Sequence, residues 1–97
     1  MSALEVPRLQ GRVNDYADLL SPATEASLES VLKSLESSDS TQIVVLTITS
    51  LQGDSLEEFS LGVVEDWKVG QQGLDNGVLL LVAGDDRKIR IEVGYGL

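Results

Sequence analysis

The apolar positions change period along the chain, and the changes mark out its elements. Leu28, Val31, Leu32 and Leu35 recur at three- and four-residue spacing, which lays one stripe along a helix. Ser21-Pro22 supplies its start. A serine hydroxyl can accept from the free amides of the first turn, and proline there lacks only an N–H that has no partner. Ser37-Ser38-Asp39-Ser40 is turn-prone and predicts the end. From Thr41 to Thr49 the pattern becomes TQIVVLTIT, β-branched and continuously apolar at its centre, as in a strand buried on both faces. Gly53-Asp54 breaks that run. Ser55-Leu56-Glu57-Glu58 then reads as a capping box, Ser55 as cap and Glu58 reaching back to it. Leu56, Phe59, Val63 and Trp67 form the stripe of a second helix, with Gly70 at its end. Trp67 on this stripe reads as core, with a ligand platform as the alternative.

Gln71 to Gly77 is a polar, glycine-bearing loop, and Gly77 to Ala83 (GVLLLVA) reads as a second strand buried on both faces. Gly84-Asp85-Asp86-Arg87 has turn chemistry. Lys88 to Val93 (KIRIEV) alternates polar and apolar residues at the period of a half-exposed strand. The two strands predict an antiparallel hairpin, with Glu92 turned to solvent and Ile91 and Val93 turned the other way. Residues 1–20 show no period; Pro7 and Gly11 punctuate an irregular arm anchored by Val13, Tyr16, Ala17, Leu19 and Leu20. The order arm, helix, strand, helix, strand, strand predicts a mixed sheet with helical cover, a three-layer α/β arrangement. Two helices cover only part of such a sheet, so further chain is expected.

Composition narrows the chemistry. Ninety-seven residues make one domain, and with aromatics at 4% its core must be built from Leu, Val and Ile. No apolar run approaches the roughly 20 residues that cross a bilayer, so this segment is not expected to insert in a membrane. Met1-Ser2-Ala3 reads as an added start, compatible with a targeting segment removed upstream. Sixteen acidic and seven basic residues give a net charge of −9, which repels nucleic-acid phosphates and favours solubility and cations. The chain has no Cys and no His, which removes thiolate chemistry and the commonest general base. Carboxylates, hydroxyls, Arg, Lys and a hard metal ion are what remain.

Three stretches carry a resemblance: GRVNDYADLLS (Gly11 to Ser21), TQIVVLTITSLQGDSLEEFS (Thr41 to Ser60) and EDWKVGQQGLDNGVLLLVAGDDRKIRIEVGYGL (Glu65 to Leu97). The combination W-K-V-G, D-N-G, D-D-R-K and E-V-G-Y-G resembles the TPM domain family. That family includes thylakoid-lumen proteins of photosystem II repair, bacterial membrane-anchored proteins and an animal acetylcholine-receptor auxiliary subunit. The resemblance implies a Rossmann-like three-layer α/β/α sandwich with a mixed sheet, outside the cytoplasm (periplasm, cell surface or thylakoid lumen), in a membrane-anchored parent. It makes residues 1–10 a flexible arm and residues 11–97 the N-terminal portion of the domain. Family domains continue past G-Y-G-L into helices that pack on the sheet, so the resemblance implies truncation at the C-terminal end.

Candidate chemistry falls in two places. Asp75-Asn76-Gly77 offers a carboxylate and an amide oxygen for calcium or magnesium, and Asn14-Asp15 in the arm is the best second contributor, giving a metal set of Asp15, Asp75 and Asn76. The plain alternative is that Asp75-Asn76-Gly77 is a turn and Asp15 a local cap. Asp85, Asp86 and Arg87 form either a hairpin turn or a carboxylate pair with a phosphate-gripping Arg. These groups sit at opposite ends of the second strand, which weakens a single shared site. Gly94, Tyr95 and Gly96 permit either close backbone approach to a substrate or a turn into further chain. Two functions follow: an assembly module binding a membrane protein complex or another protein, with divalent-cation binding, or a metal-dependent acid phosphatase acting on phosphomonoesters, as the resemblance implies. Self-association through an exposed sheet face is a third possibility.

Overall fold

A computed structural model describes residues 4–70 and 76–94, with backbone only at Asn76. In chain order the elements are β1 (Val13–Asp15), α1 (Pro22–Asp39), β2 (Thr41–Ile48), α2 (Leu56–Trp67), β3 (Asn76–Ala83) and β4 (Lys88–Gly94). The sheet has the order β1-β2-β3-β4, with β1, β2 and β3 parallel and β4 antiparallel to β3. This is the mixed-sheet, three-layer α/β fold that the sequence predicts.

Both helices start where predicted. The Ser21 hydroxyl accepts from the Thr24 amide, with Pro22 beginning α1, and Ser55 accepts from the Glu58 amide to begin α2. α1 ends within the turn-prone stretch predicted to close it, whereas α2 ends short of Gly70. α1 runs through Asp39 and closes on Ser40, whose backbone is left-handed; α2 closes on Lys68, also left-handed, two residues before Gly70. Val31 is 57% exposed because it lies on the flank of the Leu28–Leu32–Leu35 stripe rather than at its centre.

Strand alternation divides the core between two faces. Val44, Leu46 and Ile48 of β2 and Leu79, Leu81 and Ala83 of β3 pack with Phe59, Val63, Val64 and Trp67 of α2. Val13, Ile43, Val45 and Leu80 face the other way and pack with Leu28, Leu32 and Leu35 of α1. α1 lies over β1 and β2; α2 lies over β3 and β4 on the opposite side. The arm takes the remaining place in the α2 layer, with Leu4 and Val6 packed on that cluster.

Two readings of the sequence are corrected. The arm contains a strand, β1, paired with β2 as Val13↔Val45 and Asp15↔Thr47. It is three residues long, too short to show a period, and exists because the edge of β2 is there to pair with. In β4 the apolar row faces outward: Ile89, Ile91 and Val93 are 67%, 64% and 45% exposed. Glu92 is half-buried on the α2 side rather than turned to solvent, and it accepts from Arg90 and from Ser60 of α2. These odd-numbered residues lie on the α1 face, and α1 reaches only the far half of the sheet.

The path of the chain creates a crevice. β1, β2 and β3 step across the sheet in one direction, yet α1 and α2 lie on opposite faces. The two crossovers therefore have opposite hands, so one departs from the strong right-handed preference. The connections leaving the carboxyl ends of β1 and β2 consequently diverge, one to each face, which is where open α/β sheets place ligand crevices.

Candidate functional site

At the carboxyl ends of β1 and β2, Asp15 organises the chain entering α1. Its Oδ1 accepts from the Thr47 hydroxyl at 2.6 Å and the Leu19 amide at 2.9 Å, and its Oδ2 accepts from the Leu20 amide at 2.8 Å. Thr47 in turn accepts from the Ala17 amide at 3.0 Å. Desolvation is the largest single influence on the Asp15 carboxyl and pushes its pKa up. The hydrogen bonds from Thr47, Leu19 and Leu20 outweigh it together and hold the carboxyl below its ordinary value. A carboxylate has about four acceptor positions, so the three bonds leave about one for an outside ligand.

Neighbouring Asn14 is spent entirely on the fold. Its Oδ1 accepts from the Gln10 and Gly11 amides, and its Nδ2 donates to the Gly11 and Val45 carbonyls. At the other end of β1, Arg12 lies between Glu29 and Glu36 of α1, both paired with its guanidinium. Its pKa is raised chiefly by the hydrogen bond to Glu36, against desolvation, with Glu29 adding to the rise. Sequence inspection missed this clamp; the signal was the Glu29–Glu36 spacing, which puts both on one side of α1.

The crevice itself holds a cavity of about 290 Å³, lined by Tyr16, Ile48, Thr49, Ser50 and Gln52 and roofed by Leu4, Glu5 and Pro7 of the arm. Asp15 and Thr47 lie beside it, on the α1 face. The β3–β4 turn reaches the same end of the sheet. There the Gly84 and Asp85 amides donate to the Ile48 and Thr49 carbonyls, and Asp86 Oδ2 accepts from the Leu51 amide at 2.7 Å. Asp86 is thus a brace between two loops, whereas Asp85 and Arg87 are exposed, Arg87 with a left-handed backbone.

The predicted metal set does not assemble. Asp15 is in register with Thr47, and Thr47 with Val82, six residues along β3 from Asn76. At about 3.3 Å per residue, Asp15 and Asn76 are separated by about 20 Å along the strands, at opposite ends of the sheet. Asp75 lies outside the described residues. Among the described residues, no group of three or more His, Cys, Asp or Glu side chains is placed to hold a metal ion.

The end of the sheet opposite the crevice is closed by glycines. A Cβ on Gly70 would lie 2.6 Å from the Gly94 carbonyl oxygen and 2.8 Å from the Gly77 nitrogen. A Cβ on Gly77 would overlap the backbone of Gly70, and one on Gly94 would overlap the Val69 carbonyl. The close approach open to Gly94 is made to the protein's own backbone. Tyr95 and Gly96 lie outside the described residues.

Known proteins share this architecture. The N-terminal domain of a protein from P. gingivalis superposes with a TM-score of 0.78 at 39% identity, over 88% of this chain and 54% of that one. The N-terminal domain of the cg2496 protein from Corynebacterium glutamicum superposes at 0.73 with 21% identity, over 97% of this chain and 62% of that one, which bears on the fold alone. The chain thus spans somewhat more than half the length of these solved relatives. No curated protein sequence matches it. The family model described as the TPM domain matches residues 13–97, from the first residue of β1 through β4 and beyond. With that match over most of its length, the chain belongs to the TPM domain family.

Proposed function

We propose that the chain serves as an interaction and assembly module of a membrane-anchored protein, outside the cytoplasm, binding a membrane complex or another protein through the crevice at the carboxyl ends of β1 and β2. One observation carries this reading. The carboxylate beside the crevice, Asp15, is engaged by three donors of its own chain, and the cavity next to it offers a mixed polar and apolar lining. Such a lining suits recognition of a surface or segment better than activation of water. A divalent cation, calcium or magnesium, has a supporting role in this reading. The location follows the family's usual setting, and the segment contains no helix long and apolar enough to cross a membrane among its described residues.

The test places a photo-crosslinking residue at position 52, on the crevice rim, or at position 33, on the exposed side of α1. A discrete adduct from position 52 alone, persisting in Asp15→Asn and Asp85→Ala backgrounds, is the expected result. Equal adducts from both positions, or none, sink the crevice as the contact surface.

The second reading is a phosphatase acting on phosphomonoesters, favoured by the family to which the chain belongs. It predicts release of phosphate from p-nitrophenyl phosphate that stops with chelator and in Asp15→Asn. Turnover unchanged by both treatments, or none at all, removes it.

A further inference from the structure

Residues 4–10 lie against the α2 face in the manner of a bound peptide. They form no strand of the sheet, yet their backbone is held by side chains of three separate segments. The Leu4 amide donates to Asp54 Oδ2 at 2.6 Å, the Pro7 carbonyl accepts from the Trp67 indole N–H at 2.9 Å, and the Arg8 carbonyl accepts from the Tyr16 hydroxyl. Leu4 and Val6, two residues apart, both pack on the core cluster of α2, β2 and β3. An extended chain puts alternate side chains on one side, so this spacing seats both at once.

Leu4 also divides two cavities. One, of about 290 Å³, is shared with Tyr16, Thr49 and Gln52 at the crevice; the other, of about 270 Å³, is shared with Asp54, Glu58 and Phe59 at the start of α2. With the arm lifted, the two would run together as one groove from the crevice to α2. Its floor is the apolar surface that Leu4 and Val6 now cover, and its polar fixtures are Asp54, the Trp67 N–H and the Tyr16 hydroxyl.

We propose that this groove is a peptide-docking site, occupied in cis by the arm. Its partner is an extended segment of another protein with the arm's own pattern, two apolar side chains separated by one residue and followed by proline, as in Leu4-Glu5-Val6-Pro7. The seated arm is the argument for that occupant: it shows which spacing fills the floor and which carbonyls meet the fixed donors. A tethered occupant competes at a local concentration on the order of millimolar, so the arm sets the threshold a partner must exceed. This deepens the interaction reading and rests on it.

The test uses the full chain and a fluorescein-labelled peptide with the sequence of residues 2–10, followed by anisotropy. Trp67 is the chain's single tryptophan, so its emission reports whether the arm is seated. In a Leu4→Asp/Val6→Asp double variant, Trp67 emission should move to longer wavelength. The peptide should bind about tenfold or more tighter than to the unaltered chain, because the cis competitor is gone. Binding should restore the original emission, and a peptide carrying the same two Asp substitutions should not bind. Should the double variant lose its far-UV circular dichroism, Val6→Ala alone trims the seated arm and leaves Asp54, Tyr16 and Trp67 of the groove unchanged. It should tighten peptide binding about three- to tenfold, the worth of the apolar contact removed from the cis competitor. A released arm without saturable peptide binding, or equal affinity for loosened and unaltered chains, overturns the proposal. A position-52 adduct that persists alongside such a result leaves the crevice reading intact and removes only the arm's role.

Discussion

At the scale of single residues, several of the most informative positions serve the fold. Asp15 was legible as a chemically interesting carboxylate, but its partners were not, because Thr47 and the Leu19 and Leu20 amides come together only when β1 pairs with β2. Its consequence is an acid limb. The carboxyl titrates lower in the folded chain than in the unfolded one, so the stability it contributes is present above the unfolded value of about 4 and is lost as pH falls through the folded value. Asp15→Asn should therefore flatten the loss of stability below about pH 4, as read by urea melts at successive pH values. A limb as steep in the variant as in the unaltered chain would assign it to other groups. The glycines divide in the same manner. Gly70→Ala meets both a backbone φ of +81° and the Gly94 carbonyl, and should cost about 1–3 kcal/mol. Gly62→Ala, in the middle of α2 with nothing within 4 Å of the new methyl, should instead stabilise by about 0.5–1 kcal/mol. Denaturant midpoints of the pair check both signs.

At the scale of elements, the sequence was most readable where local chemistry and burial agree. Ser21-Pro22 and Ser55 cap the helices they were read to cap, and the two apolar runs are the central strands β2 and β3. The misses share one cause. β1 and the orientation of β4 are decided by what lies beside or above a strand, and no local pattern carries that information. KIRIEV alternates equally well with either row inward; Ser60 and Arg90 meeting Glu92 beneath α2 decides for the polar row. The apolar content of a row and its burial can thus be opposed, and the difference is measurable. Leu81→Ala, in a side chain with no exposed surface, should cost about 2–5 kcal/mol, whereas Ile91→Thr on β4 should stay within about 0.5 kcal/mol of the unaltered chain. Comparable losses at both positions would mean that Ile91 is covered in solution.

At the scale of the whole molecule, topology decides which residues can act together. Three parallel strands gather their carboxyl ends at one edge of the domain, and the divergence of α1 and α2 opens the crevice there. The sequence suggested joining Asp15, acidic and flanked by anchors, to the carboxylate and amide oxygen of the Asp75-Asn76 turn. The parallel register instead sets Asp15 level with Val82, across Thr47 of β2, leaving Asn76 about 20 Å away along the strands. Charge alone does not bridge that gap. A net charge of −9 attracts calcium or magnesium to any carboxylate, but ions held at opposite ends of a sheet titrate as separate events. In a calcium or magnesium titration followed by amide NMR, the Leu19 and Leu20 amides should report Asp15, and the Asn76 and Gly77 amides should report their own end. The two groups should move with different midpoints, and Asp15→Asn should abolish the shifts of the first group while leaving the second unchanged. A common midpoint, lost at both ends in the one variant, would require an arrangement that brings Asp15 and Asn76 to a single ion. The parallel pairing of β1, β2 and β3 forbids that arrangement.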